Sequence, residues 1–189
     1  MDEQEQLWRR TLEVPEPSLV LLIGASGSGK STFARTHFLS TEVVSSDACR
    51  GLVSDDENDM SATEPAFELV HFIAAKRMEA GRMTVIDATN VKPEFRAPLV
   101  ALARRHGFPP VAIVFDMPER LCHERNRSRP GRGFAAYVVR NQARALRRSL
   151  HGLTNEGFGH VHVLRSPEDV AAAVVERTRL EHEPVDLSL

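Results

Sequence analysis

Lysine is nearly missing from this chain. Lys30, Lys76 and Lys92 are its only lysines among 24 basic residues, so arginine carries almost all the positive charge. Arginine forks suit phosphate oxygens, although heavy arginine use reflects genome composition equally well. Cysteine is scarce too. Cys49 and Cys122 make neither a disulfide framework nor a metal-ligand spacing, and a reducing cytoplasm is the expected location. No apolar run reaches the roughly 18 residues of a membrane span, and the polar, acidic stretch from Met1 to Arg10 does not read as a signal peptide. No membrane partner is expected. Internal repeats and low-complexity segments are absent. Net charge is only −2, so nucleic-acid binding would have to come from a local patch. The acidic run Asp55-Asp56-Glu57-Asn58-Asp59 lacks EF-hand spacing and reads as a solvated loop. No Ser-His-Asp order emerges from the eight histidines. His37, His71 and His106 fall in expected helices and read as structural.

What is present is the composition of a soluble globule, 42% hydrophobic and 26% charged over 189 residues, which suits one domain with a sizeable core. Residues 1–17 read as a polar lead-in closed by Pro15 and Pro17, residues 18–176 as the domain, and residues 177–189 as a tail or linker. Leu19 to Ile23 is a short apolar run ended by glycine, the mark of a central parallel strand buried on both faces. Further strands are expected at Glu42–Ser45, Met83–Ile86, Val111–Phe115 and Val161–Leu164. Helices are expected between them at Lys30–Phe38, Ala62–Ala80, Pro93–His106, Pro118 to about Arg127, Phe134 to about Leu150, and Pro167–Val175. Pro98 should disturb the third of these or mark a late start. The alternation predicts an α/β, three-layer fold with a central parallel sheet of about five strands.

Gly24-Ala25-Ser26-Gly27-Ser28-Gly29-Lys30-Ser31 follows the first of these strands and opens a helix. This is the context in which Gly-x-x-x-x-Gly-Lys-Ser cradles a triphosphate, the P-loop. Gly24, Gly27 and Gly29 let the backbone aim its N–H groups at phosphate oxygens. The helix that carries Thr32 adds its positive dipole end. Lys30 reaches the β- and γ-phosphates and the Ser31 hydroxyl ligates Mg2+, so ATP or another NTP with Mg2+ is expected. Kinases, GTP switches and ATPase motors share this loop. A GTPase needs an Asn-Lys-x-Asp guanine reader, which is absent. A motor needs an apolar strand ending in Asp-Glu, and Thr84-Val85-Ile86-Asp87-Ala88 lacks the glutamate. A kinase remains.

Strand C-termini line the ligand crevice of an open α/β sheet. Ser46-Asp47-Ala48-Cys49-Arg50 follows the second strand, which puts Asp47 opposite the γ-phosphate. There it either accepts the proton of an attacking hydroxyl or merely caps a helix. Arg50 shares its face if the segment is helical. At the end of the third strand, Asp87 is placed to assist the Mg2+ shell through water, and Thr89 and Asn90 to touch the acceptor. A strand-end turn held by local side-chain to backbone bonds is the alternative. Between Glu119 and Arg148 there are nine arginines and two acids. The dense part, Arg125 to Arg132, reads as a lid whose Arg125 and Arg129 neutralise charge on the transferred phosphoryl group. Arg140, Arg144, Arg147 and Arg148 recur at helical spacing and read as a solvated face, with a nucleic-acid stripe as the alternative.

Taken in order, the P-loop, Val43-Val44-Ser45-Ser46-Asp47-Ala48-Cys49-Arg50-Gly51-Leu52, Ser54 to Asp59, Val85-Ile86-Asp87-Ala88-Thr89-Asn90-Val91 and Glu124-Arg125-Asn126 resemble the kinase module of bacterial polynucleotide kinase–phosphatase. The likeness runs from about Ser18 to about Arg177. It implies transfer of the γ-phosphate of ATP or another NTP to the 5′-OH end of RNA or DNA in RNA end-healing. It also implies Asp47 as general base, Arg50 on a phosphate of the terminal nucleotide, and Arg125 and Arg129 on the nucleotide phosphates. The partners implied are single- or double-stranded nucleic acid with a 5′-OH end and a phosphatase and ligase module of the same system, with a homodimer as a further option. Where that family often has an aromatic residue, this chain has Ala48. Its kinase usually precedes a phosphatase and a ligase-like domain, whereas this sequence stops at Leu189 and reads as an excised domain or a free-standing relative. The residues leave two other classes open: a small-molecule P-loop kinase acting on a nucleoside or other metabolite, and a nucleotide-binding regulatory module without transfer chemistry.

Overall fold

The structure, a computed structural model, describes residues 10–128 and 136–179. Strand β1 (Arg10–Glu16) comes first. It is followed by β2 (Leu19–Gly24), α1 (Lys30–His37), β3 (Val43–Ser45), α2 (Ser46–Ser54), α3 (Thr63–Glu79), β4 (Thr84–Asp87) and α4 (Pro93–Arg105). Then come β5 (Pro110–Phe115), α5 (Glu119–Arg127), α6 (Ala136–Leu150), β6 (His160–Leu164), α7 (Pro167–Ala172) and β7 (Ala173–Arg179). Five strands form one sheet in the order β3-β4-β2-β5-β6, and every neighbouring pair is parallel. The expected α/β fold with a central five-stranded parallel sheet is therefore observed.

Strand β2 shows why it sits in the middle. All six of its residues are buried. Leu19, Leu21 and Ile23 enter one core with Val70, Ala74 and Leu99, while Val20 and Leu22 enter the other with Phe33, Phe115 and Val139. Side chains alternate across a strand with period two, so an unbroken apolar run fills both layers at once. Because the strands are parallel, β2, β3 and β4 deliver Gly24, Ser45 and Asp87 to one edge of the sheet, and the site forms there. Pro98 lies inside α4 and does not end it. One backbone hydrogen bond in the second turn is lost and the helix continues past it.

The two ends differ from expectation. Residues 10–16 belong to no lead-in, and residues 173–179 are neither helix nor linker. They pair in parallel as a second, two-stranded sheet, from Arg10 opposite Ala173 to Glu16 opposite Arg179. Leu12 and Val14 are buried beneath it, which supplies the burial that a short polar-looking strand needs. Pro15 is tolerated because both strands of such a pair are edges. Arg177 fixes this sheet to the main one. Its guanidinium donates to both carboxylate oxygens of Glu42 at 2.8 and 2.7 Å and lies 5.7 Å from the Phe38 ring centre.

Candidate active site

The loop from Gly24 to Ser31 is held from three sides. Its Gly24 N–H donates to the Thr89 carbonyl at 2.9 Å, tying it to the end of β4. The Gly27 backbone lies against the Cys122 carbonyl of α5, and an added Cβ would overlap that oxygen; its φ of +81° is a second reason that only glycine fits. The Ser26 N–H donates to Gln142 Oε1 of α6 at 2.9 Å. Inside the loop, Lys30 Nζ donates to the carbonyls of Gly24 and Ala25 at 2.8 and 2.9 Å, with Ser28 Oγ at 3.4 Å. Gly29, at φ +103°, caps α1, and Arg125 Nη1 reaches within 3.6 Å of where a Cβ on Gly29 would stand. Arg125 thus overhangs the amide end of α1. Burial pushes the Cys122 thiol up against the opposing pull of Lys30 and Arg125, so this cysteine is a packing group. Thr32 is exposed on α1, where its hydroxyl accepts from Arg35 at 3.4 Å. Arg129 lies outside the described residues.

On the acceptor side, α2 begins with Ser45 as its N-cap, whose Oγ accepts from the Ala48 N–H at 3.4 Å. Asp47 is therefore not the cap. It stands in the first turn, paired with Arg50 one turn on. Arg50 is buried and its other amine donates to the Glu57 carbonyl. Asp59, in the acidic run, caps the short turn at residues 60–62 through a 2.9 Å bond from the Ser61 N–H. The run is a capping loop that also backs Arg50. Among the described residues no group of three or more His, Cys, Asp or Glu is placed to hold a metal by itself.

The end of β4 divides its work. Asp87 and Thr89 face the cavity. Asn90 is buried at φ +48° and its Nδ2 donates to the Leu22 carbonyl at 3.0 Å, a structural strand-end bond. Behind it, the fully buried Arg96 donates to the Asn90 carbonyl at 2.8 Å and forks onto Glu156, with Nε–Oε2 at 2.6 Å.

One cavity of about 820 Å³ joins these parts. Its donor end is lined by Ser26, Gly27, Gly29, Lys30, Ser31 and Gln142, and its middle by Asp47, Arg50, Asp87 and Thr89. A neighbouring cavity shares Ser31, Asp47 and Asp87 with it. A serine hydroxyl flanked by carboxylates at the phosphate end suits Mg2+, which takes few protein ligands and completes its shell with water and phosphate. Residues 19–153 match the AAA_33 family, described as an AAA domain. The chain belongs to that family. Among curated proteins, the chain is 30% identical over 164 residues to "Transcription factor bHLH140" of Arabidopsis thaliana; the match covers 82% of the chain but only 17% of that protein's length. Its fold matches a chain of the Pnkp1/Rnl/Hen1 RNA repair complex at TM-score 0.64 and 24% identity, over 74% of this chain and 47% of that one. It also matches a gluconokinase from Sinorhizobium meliloti 1021 at TM-score 0.52 and 18% identity, over 84% and 93%. The fold is that of P-loop kinases.

The opposite end of the cavity holds residues that the sequence reading missed or filed as structural. Met60, Glu64, Phe67, Glu68 and His71 line it from and just before α3, and Glu94, Phe95 and Pro98 from α4. Burial pulls the His71 imidazole below its ordinary value. The signal was present. Positions 64, 67, 68 and 71 form a second helical stripe beside the core stripe of Ala66, Val70 and Ala74. Arg140, Arg144, Arg147 and Arg148 are all exposed on α6.

Proposed function

We propose that this chain transfers the γ-phosphate of ATP, or another NTP, to the 5′-hydroxyl end of a polynucleotide. One observation carries the reading: Asp47, paired with Arg50, shares a single cavity with Lys30 and Ser31 of the phosphate loop. A regulatory nucleotide module has no use for a carboxylate held opposite the transferring phosphate. A hydroxyl kinase does, because the attacking oxygen must lose its proton. Asp47 accepts that proton, and Arg50 holds the carboxylate in place and would reach a neighbouring phosphate of the acceptor by giving up its bond to the Glu57 carbonyl. Lys30 and the loop N–H groups hold the donor phosphates, and Arg125, above the α1 amide end, offsets charge that builds up on the transferred group. Mg2+, held by Ser31 with Asp87 behind it, would supply charge neutralisation between the β- and γ-phosphates. The resemblance of the ordered motifs to polynucleotide kinase–phosphatase supports the polynucleotide acceptor.

A second reading, a kinase for a small nucleoside or similar metabolite, draws support from the acceptor end itself. Glu64, Glu68 and Glu94 stand there beside Phe67 and Phe95, where a long polyanion would favour bases. Labelled ATP offered with 5′-OH oligonucleotides and with free nucleosides separates the two. Transfer to the oligonucleotide that disappears in Asp47→Ala, while ATP still binds, is the expected result. Good ATP binding with no transfer to any oligonucleotide sinks the polynucleotide reading.

A further inference from the structure

The two ends of the main cavity differ in chemistry. The donor end is backbone amides and Lys30, whereas the acceptor end is built around an aromatic pair. Phe67 of α3 and Phe95 of α4 stack with ring centres 5.9 Å apart and planes 21° apart. Phe95 is 44% exposed and lines the cavity, so its ring is accessible to a ligand there. Because the rings come from two helices that pack on the same core, their spacing is fixed by the fold.

The charges around the pair are also uneven. Glu94 is matched by Lys92 at 3.4 Å, whose amine also sits 5.5 Å from the Phe95 ring centre. Glu64 and Glu68 lie one turn apart on α3 and both face the cavity. Both are exposed, so their carboxylates are open to a donor that enters the cavity. Arg50, which lines the same cavity, pairs with Asp47 and the Glu57 carbonyl. An aromatic shelf edged by hydrogen-bond acceptors fits a flat, uncharged ring that carries amino groups.

We propose that the acceptor end binds a nucleoside unit, its base stacked on the Phe67–Phe95 pair and its amino groups donating to Glu64 and Glu68. This rests on the phosphotransferase reading and adds what kind of molecule carries the hydroxyl. The nucleoside is either free or the 5′-terminal unit of a chain. Stacking of a base on an aromatic side chain is sequence-tolerant, so the glutamates, not the rings, supply discrimination among bases. Adenine, guanine and cytosine have amino groups to donate; uracil and thymine have none.

The test measures phosphate transfer from ATP to four acceptors: free nucleosides, 5′-OH oligonucleotides differing in the first base, an oligonucleotide with an abasic first sugar, and gluconate. Base-bearing acceptors should outperform the abasic end and gluconate by about tenfold or more in kcat/KM, with cytidine ahead of uridine. The free and oligonucleotide arms tell the two sources apart. Phe95→Ala should flatten the base-bearing to abasic ratio toward one, mainly through acceptor KM. Phe67→Tyr should preserve it. Phe67→Ala also loosens the core, so the exposed Phe95 carries the variant test. Glu64→Gln with Glu68→Gln should erase the cytidine preference. Equal transfer to abasic and base-bearing ends, or a ratio unmoved in Phe95→Ala, overturns the proposal while leaving the kinase intact. Silence toward every acceptor with ATP bound overturns the kinase reading itself.

Discussion

Arg96 is the most demanding single residue in the molecule. It is wholly buried, and its fork is matched by Glu156 and by the Asn90 carbonyl next to the phosphate loop. Removing Arg96 empties a fully buried site and strands the partly buried Glu156 carboxylate. Arg96→Ala should therefore cost about 3–5 kcal/mol of unfolding free energy, and Arg96→Lys should recover only part of it because an ammonium cannot reproduce the fork. Chemical denaturation measures both, and a loss under about 1 kcal/mol in Arg96→Ala would show the pair to be dispensable. Arg125 is the opposite case. It is exposed and, on the proposed function, its value lies in charge near the transferred group, so Arg125→Ala should leave the melting temperature within a few degrees while lowering kcat at least about tenfold. A smaller fall in kcat removes it from the lid role. The dense arginine run marked Arg125 in the sequence, but nothing there marked Arg96. Both residues are arginines on helices, and only the partner across the fold decides which is structural.

At the level of elements, α6 is more than a face of the sheet. Gln142 accepts from the Ser26 N–H, so α6 also sets the phosphate loop. Gln142→Leu keeps the shape and deletes the acceptor atom. It should weaken ATP binding and lower kcat together, by about threefold to tenfold for one lost hydrogen bond, and an unchanged Kd for ATP would dissociate helix from loop. This contact spans 116 positions, which is why no local pattern announced it. What was legible was whatever had a local pattern: the apolar run of β2, the alternation of strands with helices, the loop between strand and helix. Two features were not. The β1–β7 sheet joins short stretches from opposite ends of the chain, each too brief to show a period alone. The Phe67–Phe95 wall was hidden because periodicity marks a face as apolar and does not say whether protein or ligand covers it. The Glu42–Arg177 clamp on the β1–β7 sheet carries a pH dependence. Burial alone would raise Glu42, but hydrogen bonds from Arg177 and the Leu39 N–H outweigh it and hold the carboxyl below its ordinary 4.5. A depressed folded-state value means stability that is present above about pH 4.5 and lost as the pH falls through the lower folded value. Arg177→Gln should flatten that acid limb, read as the melting temperature between pH 3 and pH 6. An acid limb as steep as in the parent protein would acquit the clamp.

For the whole molecule, the main sheet and the small one are coupled, not merely adjacent. Leu12 and Val14 close the second core, so deleting residues 1–16 uncovers apolar surface beneath β1 and strips β7 of its partner. Burial of two such side chains is worth about 1.5–3 kcal/mol each, and the truncated protein should lose at least about 3 kcal/mol, a fall in melting temperature of several degrees. A truncation that melts with the parent would mean β1 contributes no net stability. The same sheet also has a mechanical meaning. Its strands are parallel, with Arg10 opposite Ala173 and Glu16 opposite Arg179. Tension applied at residue 10 and at residue 179 therefore drags β1 and β7 along each other, lengthwise, and loads their whole hydrogen-bond ladder at once instead of peeling it bond by bond. A polypeptide pulled from both sides would transmit force through this ladder before the phosphate loop felt any of it.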